Sequence, residues 1–488
     1  MKYVQHASRE IKSYLSKHIS LTNLRLSAFV LSLLSCIVTG SILLFTLYTP
    51  TFHHIIGLTY FQINFIASIS LGAMYLCLPV LGYLSDCYGP SILSFLSMWL
   101  FVPSYALNSW LLSWNCSSVP LFSMTFGMIG LATSSLYFSS LLTCAKIFPH
   151  QKGLAISLPV TCYGLSALLG SQVLKMDYFH LSRETYKSGD DRSDLLNLVR
   201  VFKFFAVLYS VVGISSFISS SVAIVEQDAI FGEIEDIMSS NNSIPPSSAA
   251  NGTSEEQDEN APLLRGEDLA PQRSLDPPNH KKRYINFLKD VSAWLLLVSL
   301  ILNVGPLESY QNNLSSILSF INTASSPVSN NNNNKNIGTG SDVSDKVSLL
   351  ATASTLSRLV LGVLCDFFQQ KQIDILWLLV AVIILGIVGQ WFNNIVLNGV
   401  AYGGLFTTYP TVVASVWGID LLGSTWGSFM VAPAIGSIMY SLLYGLVADS
   451  NKDNIAMYFK VTAFSLSISC ILVLVAFRVW RKRGQLFS

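Results

Sequence analysis

The sequence predicts an all-α polytopic membrane protein, with twelve transmembrane helices in two bundles of six. Three observations carry this prediction. Of the 488 residues, 51% are hydrophobic and only 12% charged, half the roughly one-quarter charged share of an ordinary soluble chain. The charges fall in a few short stretches, and the apolar runs between them are long enough to cross a bilayer, which takes about 20 residues of helix. A polar segment near the middle divides those runs into two equal sets, each holding the same short motif at the same place. The formal net charge is +1, so there is no basic surplus to hold nucleic acid and no acidic field for cationic partners.

The apolar windows fall at about 26–48, 60–84, 91–110, 119–145, 153–175, 200–225, 290–319, 347–368, 373–392, 395–417, 422–447 and 457–479. Only Asn393 and Asn394 separate the ninth from the tenth, so eleven is the competing count. Placement of Lys and Arg decides, because cytosolic loops collect them. The first 25 residues hold five (Lys2, Arg9, Lys12, Lys17, Arg25) and the last eleven hold four (Arg478, Arg481, Lys482, Arg483). Both ends therefore read as cytosolic, and only an even number of crossings allows that. With Lys146, Lys152, the basic residues of the middle loop and Lys371, this side collects 18 of the 29 Lys and Arg. The loop at 175–200 breaks the rule with five basic residues, but five acidic neighbours neutralise it. The first run lacks a small-residue cleavage site and reads as a retained span.

Residues 226–288 are rich in Glu, Asp, Ser, Asn and Pro with few aromatics, a composition that cannot bury a core and predicts a disordered linker. The expected organisation is a cytosolic tail (1–25), a first bundle (26–225), the linker (226–288), a second bundle (289–480) and a short tail (481–488). Asn-rich residues 330–334 predict a second disordered loop. The eight cysteines are scattered, with no Cys-x-x-Cys and no metal-ligand spacing, so they read as small core fillers. Asn115-Cys116-Ser117 is a glycosylation sequon on the expected non-cytosolic side, whereas the sequon at Asn251 lies in the cytosolic linker.

Gly82-x-x-x-Asp86-x-x-Gly89 closes the second window, and Gly362-x-x-x-Asp366 closes the eighth. Glycine lets two helices approach closely. An aspartate at a helix end can cap a neighbouring helix N-terminus or pair with a cation, in one conformation only. A single copy is no more than a helix end with a small packing residue; two copies at equivalent positions make a motif. The duplicated pattern resembles the signature of the major facilitator superfamily, although Cys87, Pro90 and Ser91 stand where that signature carries basic residues. Longer stretches narrow the resemblance. Residues 136–170 (LYFSSLLTCAKIFPHQKGLAISLPVTCYGLSALLG), Gly305-Pro306-Leu307-Glu308, 358–368 and 402–436 resemble the fungal branch of monocarboxylate-transporter homologues, regarded as vacuolar transporters. The resemblance covers every span. It implies the major facilitator fold, alternating access around a central cavity, no cofactor, and a monomer as the working unit.

Charges inside a membrane span are functional candidates by default. Arg358 sits mid-span; it can grip a carboxylate with its planar fork, and it resembles the eighth-span arginine of monocarboxylate porters. The competing reading is a structural ion pair. Glu308 follows Gly305-Pro306, which is expected to interrupt the seventh span. It can exchange a proton, or it can simply pair with Arg358 or Lys346. Lys146 is expected to snorkel to the cytosolic interface, with a gate role as the alternative. Tyr402, Thr407, Thr408 and Tyr409 give the tenth span a polar stripe that lines a cavity or bonds helices together, and we take Tyr402 and Thr408 as candidates alongside Arg358 and Glu308. Residues 26–48 hold no charge, and Ser354 stands where the porters carry an aspartate, so the resemblance does not extend to their proton–lactate mechanism.

The seven histidines all lie in tails or loops, and no nucleophile, zinc or phosphate-binding motif occurs; the chain does not read as an enzyme. Glu259-x-x-x-Leu263-Leu264 in the linker matches an acidic dileucine signal. It resembles the signals that sort proteins to vacuoles or lysosomes through an adaptor, and with the family resemblance it supports the vacuolar membrane as the expected location. The expected function is a secondary transporter of a small solute, an organic anion such as a monocarboxylate. The alternative is a membrane sensor that keeps the fold and signals through its linker.

Overall fold

The computed structural model describes all residues except 1, 19, 115, 150, 181–195, 243–279, 315–316, 318–338, 451–454 and 483–488. The sequon Asn115 and the sorting residues Glu259, Leu263 and Leu264 lie outside the described residues. Among those described, the regular structure is helical throughout.

An amphipathic helix α1 (Lys2–His18) precedes the first crossing, which is α2 (Leu21–Thr39), a 3-10 turn and α3 (Phe45–His54). The second crossing is α4 (Tyr60–Leu76) and α5 (Leu78–Tyr88), parted at Cys77 because Pro79 has no N–H to continue the ladder. Then follow α6 (Ser91–Ser113), α7 (Val119–Ile147), α8 (Lys152–Leu174) and α9 (Leu198–Asn242). The second half opens with the short α10 (His280–Lys289) and α11 (Val291–Asn312), and continues with α12 (Thr339–Gln370), α13 (Ile375–Trp391) and α14 (Ile395–Trp417). The eleventh crossing is α15 (Leu422–Phe429) with α16 (Val431–Ser450), and the twelfth is α17 (Ile455–Lys482).

Ten of these crossings are long and apolar enough to span a membrane by length and composition, and α13 is a shorter apolar helix. The remaining one, α14, has spanning length, 23 residues. It buries Asn398, Thr407, Thr408 and Thr411. Asn393 takes a positive φ of 49° between α13 and α14, so the corner separating the two windows is a true turn.

Two local expectations change. The α9 helix runs seventeen residues past the sixth window, to Asn242, and α10 covers 280–289, so helix occupies both ends of the expected linker. Extension is cheap once a transmembrane helix has supplied the nucleus, and Ala, Ile, Glu and Met of 226–242 favour it. Nor do Gly305-Pro306 interrupt the seventh span, because α11 runs through Pro306. The missing proline N–H would have bonded the carbonyl of Leu302; the Ser465 hydroxyl of α17 donates to that oxygen instead, at 3.0 Å. Gly305 lets the backbone of Gly436 in α16 approach so closely that an added Cβ would lie 2.8 Å from its Cα.

The distribution of the core shows how the halves meet. At the end bearing Asp86 and Asp366, one apolar cluster runs through both halves, from Leu81, Leu93 and Leu142 to Leu361, Val413 and Trp426. At the opposite end the cores are separate. Phe52, Phe122 and Phe126 belong to the first half, and Tyr310, Tyr444 and Tyr458 to the second.

Candidate functional site

Every hydrogen bond between described residues of the two halves is made by Asp86, Asp366 or Arg358. Asp86, 8% exposed, accepts from the backbone N–H groups of Gly423 (3.2 Å) and Ser424 (2.6 Å) and from the Ser424 hydroxyl (2.6 Å). It thereby caps the N-terminus of α15 in the other half. Asp366 does the same in reverse, accepting from Gly153 (2.7 Å) and Leu154 (2.9 Å) at the start of α8. Free N–H groups and the helix dipole both favour a carboxylate there.

The glycines of the motif make these caps reachable. A Cβ on Gly82 would lie 1.9 Å from the Gly423 carbonyl oxygen, and one on Gly362 would lie 2.0 Å from Ser157 Oγ. Gly89 ends α5 at φ +89°, a conformation that favours glycine. Gly82, Asp86, Gly362 and Asp366 thus all lie where one half contacts the other.

Lys146 departs from expectation. It does not snorkel but is 5% exposed and electrostatically coupled to Asp86. With Cys87, Pro90 and Ser91 in place of basic residues, the cation facing the signature aspartate comes from the end of α7. Helix α10 lies against the same end. Tyr284 bonds Ser428 at 2.9 Å and packs on Tyr83 at 5.6 Å, while buried Phe287 sits edge-on to Trp417 at 5.2 Å. Arg283 faces Asp420 at 4.0 Å. Composition hid this helix, although Tyr284 and Phe287 at helical spacing among basic residues were the available signal.

Between the halves lies a cavity of ≈ 530 Å³, its open mouth included, walled by Met74, Tyr75, Tyr137, Tyr163, Arg358 and Tyr402 among others. Arg358, 9% exposed, donates through Nη1 to the Val160 carbonyl at 3.0 Å, and its guanidinium stands 6.0 Å from the Tyr402 ring centre. Its Nε is buried without a partner. No described carboxylate pairs with it, so the ion-pair reading of Arg358 finds no acid. Glu308 likewise has a buried Oε2 with no hydrogen-bond partner. Tyr75, Tyr163 and Tyr402 are electrostatic neighbours of both Arg358 and Glu308. Thr408 stands apart, fully buried with its hydroxyl on the Gly404 carbonyl at 2.9 Å. The sequence reading missed Tyr75, Tyr137 and Tyr163, lone aromatics in three different windows that only tertiary packing brings together.

The fold is that of solved transporters. The fucose:proton symporter FucP of E. coli superposes with a TM-score of 0.57 at 12% identity, covering 93% of this chain and 98% of the other. The human organic anion transporter MFSD10 (TETRAN) gives 0.54 at 13% identity, covering 93% and 100%. Two helical halves capped against each other around a cavity are the fold the chain shares with these transporters. No family model matches the chain. The chain belongs to the family of fungal proteins named Probable transporter MCH1: it is 54% identical to the one from Candida albicans over 99% of both chains, and 33% identical to that of Saccharomyces cerevisiae over 98% of both. The protein is therefore a multi-pass membrane transporter and not an enzyme, and the sensor alternative finds no support among these relatives.

Proposed function

We propose that the protein moves a small organic anion across the vacuolar membrane by alternating access, with Arg358 as the anion-binding group. One observation carries this reading: a guanidinium buried at the interface of the two halves, in the wall of a cavity and with an Nε that has no hydrogen-bond partner. Leaving such a donor unbonded is costly in a low-dielectric site, and an entering carboxylate relieves that cost. Tyr402 completes the arginine's surroundings, and Glu308, equally unpartnered, is the proton-coupling residue. Asp86 and Asp366 hold the closed end and release it when the halves rock.

The Lys and Arg distribution supports a cytosolic position for that closed end and for both termini, which opens the present conformation toward the vacuolar lumen. The Glu259, Leu263, Leu264 signal fits an adaptor that sorts the protein to the vacuole, and Asn115 fits a lumenal glycosylation site. The test is uptake of labelled small carboxylates by isolated vacuoles, with and without the protein and a proton gradient. Uptake should require the protein and the gradient, and vanish in Arg358→Ala. Intact carboxylate uptake in that variant would overturn the role of Arg358.

A further inference from the structure

The cavity wall says more about the solute than its sign of charge. Among the described residues of that wall, Arg358 is the one with a charged side chain. With Nη1 given to Val160 and Nε without a partner, the guanidinium keeps donors enough for one carboxylate. A second negative charge would find no further cation in the described lining.

The rest of the wall is aromatic and apolar. Tyr137 and Tyr163 lie with ring centres 4.9 Å apart, and Tyr402 meets Phe406 edge-on at 5.1 Å. One pair comes from each half, and all four rings line the same cavity. Met74, Leu78, Val160 and Met430 fill the gaps. The small hydroxyls of the lining are committed, Thr133 to the Ile129 carbonyl at 2.8 Å and Ser134 to the Met74 carbonyl at 2.5 Å.

We propose that the solute is an aromatic monocarboxylate, its single carboxylate on the free edge of Arg358 and its ring against Tyr137, Tyr163, Tyr402 and Phe406. This rests on the anion reading of Arg358 given above. Aromatic contacts of this kind favour a ring over an alkyl group beyond the area they bury.

The experiment uses the full-length protein in proteoliposomes with four probes: 3-phenylpropionate, propionate, phenylsuccinate and 3-phenylpropanamide. Expected is saturable uptake of 3-phenylpropionate, half-saturating at a concentration at least about tenfold below that of propionate, with neither the dianion nor the amide competing. Tyr163→Leu should erase the preference for the ring, bringing half-saturation by 3-phenylpropionate up to that by propionate, while Tyr163→Phe keeps the preference. Equal half-saturation for 3-phenylpropionate and propionate overturns the aromatic proposal and leaves the anion reading standing. If the amide competes as well as the acid, the anion reading itself fails. Uptake of none of the four defeats the proposal outright.

Discussion

Removing Asp86 and Asp366 should open the closed end of the transporter. Their cap bonds join residues of different halves, so they exist in this conformation and are lost when the halves part at that end. Losing an N-cap costs about 1 kcal/mol, and losing a carboxylate from a partly buried helix N-terminus costs up to about 2 kcal/mol more. Asp86→Ala should therefore shift the closed-to-open ratio by about 3 kcal/mol, roughly two orders of magnitude. Asp366, with two bonds instead of three, contributes somewhat less. Inverting a 99:1 equilibrium takes about 5.5 kcal/mol, so single replacements should populate the open form and the double replacement should make it dominant. The assay is a distance measurement between spin labels at Tyr88 and Phe367, exposed positions at the ends of α5 and α12, in a background with the eight cysteines replaced. A longer distance should appear in each single variant and prevail in the double one. If the folded double variant keeps the wild-type distribution, the caps do not set this equilibrium.

Further outcomes follow from the same geometry. Gly82→Val should produce the longer label distance even with both aspartates present, because its Cβ would stand 1.9 Å from the Gly423 carbonyl oxygen; Gly445→Ala, with nothing within 4 Å, is the silent control. Ser465→Ala should lower stability by about 1–2 kcal/mol in thermal unfolding of the purified protein, since it removes the donor that serves the Leu302 carbonyl; Ser467→Ala, whose hydroxyl only bonds back within its own helix, should cost less. Phe287→Ala should free α10 and raise its susceptibility to protease. Burial, aided by the nearby Arg283 and Lys146, holds the His280 imidazole below its ordinary value despite the opposing pull of Asp420. The free helix binds the proton more readily, so the docking of α10 should be full above the unfolded value of about 6.5 and weaken as the pH falls below it. Protease protection of 280–289 measured across that range checks the sign.

Much of the architecture was legible because crossing a bilayer leaves a long, one-dimensional signature. Twenty apolar residues in a row mean a span whatever they pack against, and a duplicated Gly-x-x-x-Asp at matching places means two related halves. The breaks inside spans were not legible to the same degree. Pro79 parts the second crossing while Pro306 is absorbed by the seventh, and the difference lies in whether a neighbour such as Ser465 can serve the orphaned carbonyl. That neighbour is 163 positions away.

The site divides along the same line. Arg358 and Glu308 announced themselves because a charge in an apolar window is rare for a physical reason. Their surroundings did not, since Tyr75, Tyr137 and Tyr163 are ordinary aromatics until three helices bring them together. Lys146 sits at a helix end, where sequence favours snorkelling; only the packing of the halves buries it beside Asp86. What the sequence determined alone was the number of crossings, their division into two halves and the buried charges, all written in local hydropathy. Which groups face one another across the halves depended on tertiary structure, because those contacts join residues as much as 338 positions apart and no local pattern encodes them.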